Sequence, residues 1–142
     1  MPTLKFGCGL ASAIAEELKS ICADKHVLLI SDPGIVAAGL TDAVMASLKK
    51  QGCAVDLFDD VKGETSAASI DKATEIIRTG RPSAVIGLGG GSALDVAKMA
   101  AVVAASHHSA EAYALLHRPL PPRTPKLVML PTTAGTGAEV TR

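Results

Sequence analysis

The sequence predicts an α/β fold, in which a parallel sheet carries helices on both faces, and two observations support this class. Short apolar runs alternate along the chain with segments whose apolar residues recur at helical spacing, as expected for parallel strands joined by helical crossovers. The run Val27–Ile30 is continuously apolar, which is typical of a strand covered on both faces. We expect residues 1–142 to form one domain, because this length suits a single ordinary domain.

The composition excludes several classes of protein. Hydrophobic residues make up 48% of the chain and aromatic residues only 2%, so we expect an aliphatic core. Basic and acidic side chains balance at 14 each, which argues against a nucleic-acid partner. Cys8, Cys22 and Cys53 form no C-x-x-C pair, which suits a reducing compartment. With no apolar signal segment or membrane-spanning run visible, we expect a cytoplasmic protein with no membrane partner.

The first part of the chain is predicted as strand, turn and helix. Thr3–Phe6 is predicted as a short strand that could pair across a homodimer. Gly7–Gly9 then forms a turn into a helix over Leu10–Ile21, in which apolar residues recur at helical spacing. This Gly-x-Gly turn resembles the opening of a dinucleotide loop, but a serine replaces the third glycine, so a ligand contact there stays open.

The next predicted unit is a buried strand over His26–Ser31, followed by the turn cluster Ser31–Gly34. A single helix is predicted over Ile35–Lys50, and Gly52 is placed to end it. The apolar stripe of this helix consists of Leu40, Val44 and Leu48.

The rest of the chain repeats the same alternation. A strand over Ala54–Phe58 leads through the polar loop Asp59–Glu64 to a helix over Ser69–Thr79, which Gly80 ends. The inward face of that helix is predicted to contain Ile70, Ala73, Ile76 and Ile77. The last predicted segments are the connector Ser106–Thr124 with a helical turn near Glu111–Leu116, the strand Lys126–Leu130 and the loop Pro131–Gly137.

The most informative stretch is a strand over Ala84–Leu88, three consecutive glycines, and a helix that runs to about Ala105 with Ser92 as its predicted N-cap. Glycines allow close approach of the backbone to a ligand, and the first amides of a helix bind anions. The spacing matches neither common nucleotide fingerprint. The turn is therefore either a phosphate site or a tight structural turn.

Asp95 and Lys98 follow on this helix at i, i+3 and share one face. They are either a solvated surface ion pair or polar groups directed into a cleft at the start of the helix.

Three loops of small and polar residues follow strands of the predicted sheet, at the edge where ligands bind in open parallel sheets. They are Ser31–Gly34, Gly89–Ser92 and Pro131–Gly137. Asp32 could accept hydrogen bonds from a ribose diol, although Asp-Pro-Gly also favours a turn by itself. The threonines of the third loop could contact phosphate, ribose or carboxamide groups, or could simply form a Thr/Gly-rich turn.

These motifs resemble one known family. Gly89–Lys98 resembles the GGGSxxDxAK motif of the iron-containing (group III) alcohol dehydrogenases, and Pro131–Thr141 resembles their PTTAGTGSEVT motif, with Ala138 replacing serine. Ser31–Gly34 matches the turn after their first strand. The resemblance implies a Rossmann-like N-terminal NAD(P)-binding domain, of the type also found in dehydroquinate synthases.

The resemblance also implies roles for individual residues. Gly90, Gly91 and Ser92, next to Gly89, would hold the pyrophosphate, and Asp32 would bind the adenosine ribose and favour NAD over NADP. The residues implied near the phosphates, the nicotinamide and the substrate are Thr132, Thr133, Thr136, Asp95 and Lys98. The implied reaction is hydride transfer between NAD and a small alcohol or aldehyde.

In this family a divalent metal, iron or zinc, is held by an Asp and three His on a helical second domain that these 142 residues do not include. We therefore expect the chain alone to be inactive, and we assign it no catalytic or metal-binding residue. Its own histidines, His26, His107, His108 and His117, are expected to be surface or structural residues. Two alternatives stay open: a standalone nucleotide- or phosphate-binding module, and a cyclising enzyme of the dehydroquinate synthase type.

Overall fold

The computed structural model describes residues 3–19, 25–114, 119–122 and 125–141. These residues form a four-stranded parallel sheet with helices against both faces, which confirms the predicted α/β class. The strands lie within one residue of their predicted bounds: β1 (His26–Ile30), β2 (Ala54–Phe58), β3 (Ala84–Gly89) and β4 (Lys126–Pro131). The helices are α1 (Ile14–Leu18), α2 (Pro33–Ala37), α3 (Leu40–Lys50), α4 (Ala67–Gly80), α5 (Gly91–Val103) and α6 (Glu111–Ala114).

The order of the strands across the sheet is β2-β1-β3-β4, and every pair is parallel. Val27 in β1 lies between Val55 of β2 and Ala84 of β3. The chain leaves β1 towards one edge to form β2, and then crosses back to place β3 and β4 on the other side. This reversal creates a topological switch point between the carboxyl ends of β1 and β3, where open α/β sheets form a binding crevice.

Alternate residues of the two central strands face opposite cores, as the pleat of a strand requires. Leu28, Ile30 and Val85 pack with α4 and α5 on one face. On the other face, Val27 and Ile86 belong to a cluster with residues of α1 and α3. Residues Val27–Ile30 of β1 are buried, so their continuous apolar run correctly indicated a strand covered on both sides. All residues of β3 are buried as well.

The predicted single helix over residues 35–50 is wrong, because the structure contains two helices there. α2 begins two residues earlier, where the Asp32 side chain accepts a hydrogen bond from the Ile35 amide. α3 begins after Gly39, whose φ of +71° breaks the helical path. In α3 the predicted apolar stripe is confirmed for Val44 and Leu48, which are buried, whereas Leu40 at the start of the helix is 49% exposed.

The segment before α1 also differs from the prediction. Residues 3–7 form no strand, and the pairs of the described sheet do not involve them. A strand requires a partner edge, and the side chain of Phe6 is instead fully exposed. The predicted helix over Leu10–Ile21 begins as a 3-10 turn at Ala11–Ala13 and continues as α1, while Ile21 lies outside the described residues.

The connector after α5 is held against α4 by two polar side chains. The guanidinium of Arg78 donates to the carbonyl oxygens of Val103, Ser106 and His108. Asp71 accepts a hydrogen bond from the Ala110 amide at 2.7 Å. The predicted helical turn is confirmed for residues 111–114 as α6. In the described ranges, no helix is long and apolar enough to cross a membrane.

Candidate functional site

A cleft of about 440 Å³ opens at the switch point between β1 and β3. Two of the three loops that the sequence placed at this edge contribute to it, namely the turn after β1 and the glycine turn after β3. The third wall is the segment between β2 and α4, a predicted loop that we did not expect at the site. The residues that line the cleft are Asp32, Pro33, Gly34, Val61, Lys62, Gly63, Gly90, Gly91, Ser92 and Ala93.

The glycine turn connects the end of β3 to the first turn of α5. The sequence predicted Ser92 as the N-cap of α5, and this prediction is wrong. The chain turns two residues earlier, and Gly90 is the N-cap. The first helical hydrogen bond runs from the Leu94 amide to the Gly90 carbonyl at 3.2 Å. The amides of residues 91–93 precede this bond, and such groups have no partner within the helix. The start of α5 therefore presents main-chain donors where three of its residues line the cleft.

Gly89 is required by the shape of this turn. Its φ is +150°, and a Cβ atom there would lie 2.9 Å from the Ala93 Cβ and 3.1 Å from Oδ2 of Asp32. The first distance is shorter than real Cβ contacts and the second is tighter than most of them, so a larger residue would displace α5 and push against the carboxylate. The bare backbone at Gly89 thus allows the Asp32 carboxylate to pack directly against the turn.

Asp32 has a structural role in addition to its place in the cleft. Its Oδ1 accepts the Ile35 amide at 3.0 Å and caps α2, which is the turn chemistry that the sequence left open. The other oxygen, Oδ2, lies beside Gly89. The preceding Ser31 is buried, and its hydroxyl donates to the Leu88 carbonyl at 2.8 Å, which ties the end of β1 to the end of β3.

The threonine loop lies over the glycine turn but does not line the cleft. A Cβ atom on Gly90 would lie 3.5 Å from Thr133 Oγ1, and one on Gly91 would lie 3.4 Å from Thr136 Cγ2. The hydroxyl of Thr136 also accepts the Ala138 amide at 3.4 Å within its own loop. Thr132 meets the turn through its backbone, since its amide donates to the Gly89 carbonyl at 2.9 Å. The threonine loop therefore contacts the glycine turn, but on the side of the turn that faces away from the cleft.

Asp95 and Lys98 form an ion pair at 3.4 Å, but neither residue lines the cleft. The Asp95 side chain is 47% exposed, as in the solvated surface pair that the simpler interpretation predicts, but Lys98 is 8% exposed. Its ammonium also donates to the hydroxyl of Thr141. Lys98 thus links α5 to the segment after the threonine loop. Gly7 and Gly9, the other predicted glycine loop, do not line the cleft either.

The loop between β2 and α4 is the wall that sequence reasoning missed. Val61 is 2% exposed and belongs to the core, which fixes the loop in place. The Asp60 carboxylate forms ion pairs with the ammonium groups of Lys62 and Lys72, each at 2.8 Å. Hydrogen bonding from Lys62 and then from Lys72 lowers the pKa of the Asp60 carboxyl to about 2. The signal that could have found this loop is its position after the carboxyl end of β2, since the carboxyl ends of parallel strands lie at one edge of the sheet.

We expect the Asp60 carboxyl to titrate near pH 2 in the folded chain, below its ordinary pKa of 3.8. Since the folded-state pKa is lowered, stabilisation by these ion pairs is complete above about pH 4 and is lost as the pH falls towards 2. Carbon-detected NMR of the side-chain carboxyl group measures the midpoint. The variant Lys62→Gln should move it upwards, and an unchanged midpoint would contradict the assignment of the shift to this ion pair.

The histidines do not gather into a metal site in the part of the chain that the structure describes. There, no group of three or more His, Cys, Asp or Glu residues could hold a metal ion. His26 lies instead between the Gly80 carbonyl and the Asp56 carboxylate, each at 3.0 Å from a ring nitrogen. His107 and His108 are exposed, and His117 lies outside the described residues. The described histidines do not fit a metal, and we derive no step through one.

The parallel sheet, its switch point and the glycine turn at the start of α5 define a Rossmann-like α/β domain. A family model described as iron-containing alcohol dehydrogenase matches residues 2–142. The chain therefore belongs to the iron-containing alcohol dehydrogenase family, which confirms the resemblance seen in its motifs.

Two curated relatives illustrate the similarity. Long-chain-alcohol dehydrogenase 1 of Geobacillus thermodenitrificans is 40% identical over 142 residues, which is 99% of this chain and 36% of that protein. Choline dehydrogenase of Bacillus subtilis is 37% identical over 145 residues, which is 100% of this chain and 36% of that protein. The chain thus spans about a third of the length of these relatives.

A solved structure supports the fold. Sulfoacetaldehyde reductase from Bifidobacterium kashiwanohense, in complex with NAD+, matches with a TM-score of 0.86 and 30% identity. The match covers 98% of this chain and 36% of that protein. The similarity therefore extends over nearly all of the chain.

Proposed function

We propose that residues 1–142 are the NAD-binding domain of an enzyme that transfers a hydride between NAD and an alcohol or aldehyde. The observation that carries this proposal is the cleft at the switch point, which is lined by the glycine turn and by Asp32. Membership of the iron-containing alcohol dehydrogenase family and the NAD+ complex of a similar structure support it.

In this proposal, the main-chain amides at Gly91 and Ser92 donate to the pyrophosphate of the dinucleotide, with Gly89 and Gly90 keeping the approach open. An anion is favoured here because the N-terminal end of a helix carries a partial positive charge. The side chains of Thr133 and Thr136 lie at ordinary contact distance from the Cβ positions of Gly90 and Gly91, so we place the approach of the pyrophosphate on the cleft side of the turn. When bound, NAD supplies the carbon that accepts the hydride.

Asp32 is proposed to select NAD over NADP. Its Oδ2 is the oxygen that does not cap α2, and it can accept a hydrogen bond from a ribose hydroxyl. A 2′-phosphate at the same place would be repelled by the carboxylate. Thr132, Asp95 and Lys98 lie beyond the cleft on the side of the threonine loop, and we place them towards the nicotinamide half of the cofactor and the substrate.

The variant Asp32→Asn tests this assignment. Asparagine caps a helix about as well as aspartate, so the fold is retained while the charge is removed. Titration of NADH and NADPH into the chain, followed by fluorescence, should show the ratio of the two affinities falling by about tenfold. Asp32→Ala is the control for the cap, and should lower the free energy of unfolding by about 1 kcal/mol. An unchanged ratio in Asp32→Asn would contradict the proposed role.

A further inference from the structure

The cleft is lined by one acidic and one basic side chain, and the basic side chain has not yet been given a role in ligand binding. In the described part of the chain, the ionisable residues that line the cleft are Asp32 and Lys62. A pyrophosphate carries two negative charges, whereas a helix end offers only about half a positive charge. Lys62 is therefore the group in the cleft that can supply a whole charge to a phosphate.

The backbone at Lys62 is held in place although its side chain is 75% exposed. On one side Val61 is buried in the core, and on the other Gly63 turns the chain with a φ of +65°. Two residues after Gly63, the hydroxyl of Thr65 donates a hydrogen bond to the Ser92 carbonyl at 3.5 Å. The loop thus lies against the start of α5, and the ammonium of Lys62 can move while its Cα atom stays at the cleft.

Asp60 holds this ammonium in an ion pair. The distance from Lys62 Nζ to Asp60 Oδ1 is 2.8 Å, and that from Lys72 Nζ to Asp60 Oδ2 is also 2.8 Å. Because Lys72 occupies the second oxygen, Asp60 stays paired when Lys62 leaves. Transfer of Lys62 to an incoming anion therefore exchanges one ion pair for another and leaves no charge unpaired.

We propose that Lys62 moves from Asp60 to the pyrophosphate of the bound dinucleotide, and that Asp60 sets the affinity of the cleft by competing for Lys62. This inference rests on the proposed function, since it takes the cleft to be the dinucleotide site. It adds a determinant of affinity in the loop between β2 and α4, in addition to the glycine turn.

Calorimetric titration of ADP into the chain tests the proposal, with adenosine as the ligand that lacks phosphate. Lys62→Gln should weaken ADP binding about fivefold, as expected for an exposed charge pair. Asp60→Asn should strengthen it about threefold by releasing Lys62. In the double variant this gain should vanish, because the two residues act through one interaction. Lys50→Gln is the matched control, since it removes an exposed lysine charge outside the cleft, and should change the affinity less than twofold.

Adenosine affinity should be the same in all these variants, and high salt should reduce the difference for ADP. Equal weakening of ADP and adenosine in Lys62→Gln would overturn the proposal, as would a loss seen with NADPH but not with NADH. If Lys62→Gln binds ADP normally while Gly91→Ala does not, the Lys62 proposal fails and the proposed function stands. If the unsubstituted chain binds no ADP, both fail.

Discussion

Gly87→Ala should lower the free energy of unfolding by about 2 to 3 kcal/mol, because it overpacks the contact between β3 and α5. A Cβ atom at this position would lie 2.9 Å from the Ala97 Cβ and 3.0 Å from the Met129 sulfur. The Ala97 Cβ is fixed to the backbone of α5 and has no rotamer to change, so the helix itself must shift. Urea denaturation measures this loss directly, provided that the slope of the unfolding free energy against urea concentration is the same in both chains.

Gly7→Ala provides the matched control for this substitution. Its added Cβ atom would lie 3.5 Å from the nearest atom, Leu10 Cδ1, which is an ordinary contact. We expect the free energy of unfolding of this variant to lie within about 0.5 kcal/mol of that of the unsubstituted chain, as for most surface substitutions. Equal stability of Gly87→Ala and Gly7→Ala would show that α5 does not pack against β3 as closely as described.

Gly91→Ala should reduce NADH affinity at least about tenfold while leaving the chain folded, since an anion site of main-chain amides depends on close approach of the backbone. The added Cβ atom would make an ordinary contact of 3.4 Å with Thr136 Cγ2, so it does not clash. It would, however, add a methyl group to the first residue of α5, whose amide is proposed to donate to the pyrophosphate. Titration of NADH and a urea denaturation curve on the same variant separate the loss of binding from any loss of stability.

Ser92→Ala is the control for the chemistry at this position. It removes a hydroxyl but keeps the amide that is proposed to bind the pyrophosphate, so we expect less than about a threefold change in NADH affinity. A larger loss in Ser92→Ala than in Gly91→Ala would contradict main-chain binding and indicate that the serine side chain holds the ligand.

The strands could be predicted from the sequence because their signal is local. A run such as Val27–Ile30 is apolar throughout and is followed by Asp32 and Pro33, so both its burial and its end can be recognised without knowing its neighbours. The helices were predicted less well. The single helix predicted over Ile35–Lys50 contains Gly39, and a glycine within a helical pattern can be tolerated or can end the helix. Its φ of +71°, which separates α2 from α3, is seen only in the structure.

Two walls of the site were predicted from the sequence, and the third was not. The loops after β1 and β3 were expected at one edge because the carboxyl ends of parallel strands lie together. The wall at Lys62 was missed because the chain order does not reveal that β2 is adjacent to β1. The burial of Lys98 could not be predicted either, since it depends on Thr141, 43 residues further along the chain.

The measurement that tests the central claim most directly is a titration of ADP followed through the backbone amide signals of the ¹⁵N-labelled chain. If the start of α5 binds the pyrophosphate, the amide protons of Gly91, Ser92 and Ala93 should shift strongly as new hydrogen bonds form. AMP, which carries one phosphate, should shift them less, and adenosine should leave them nearly unchanged. Saturable shifts elsewhere in the sheet, with these three amides unmoved by ADP, would contradict the account.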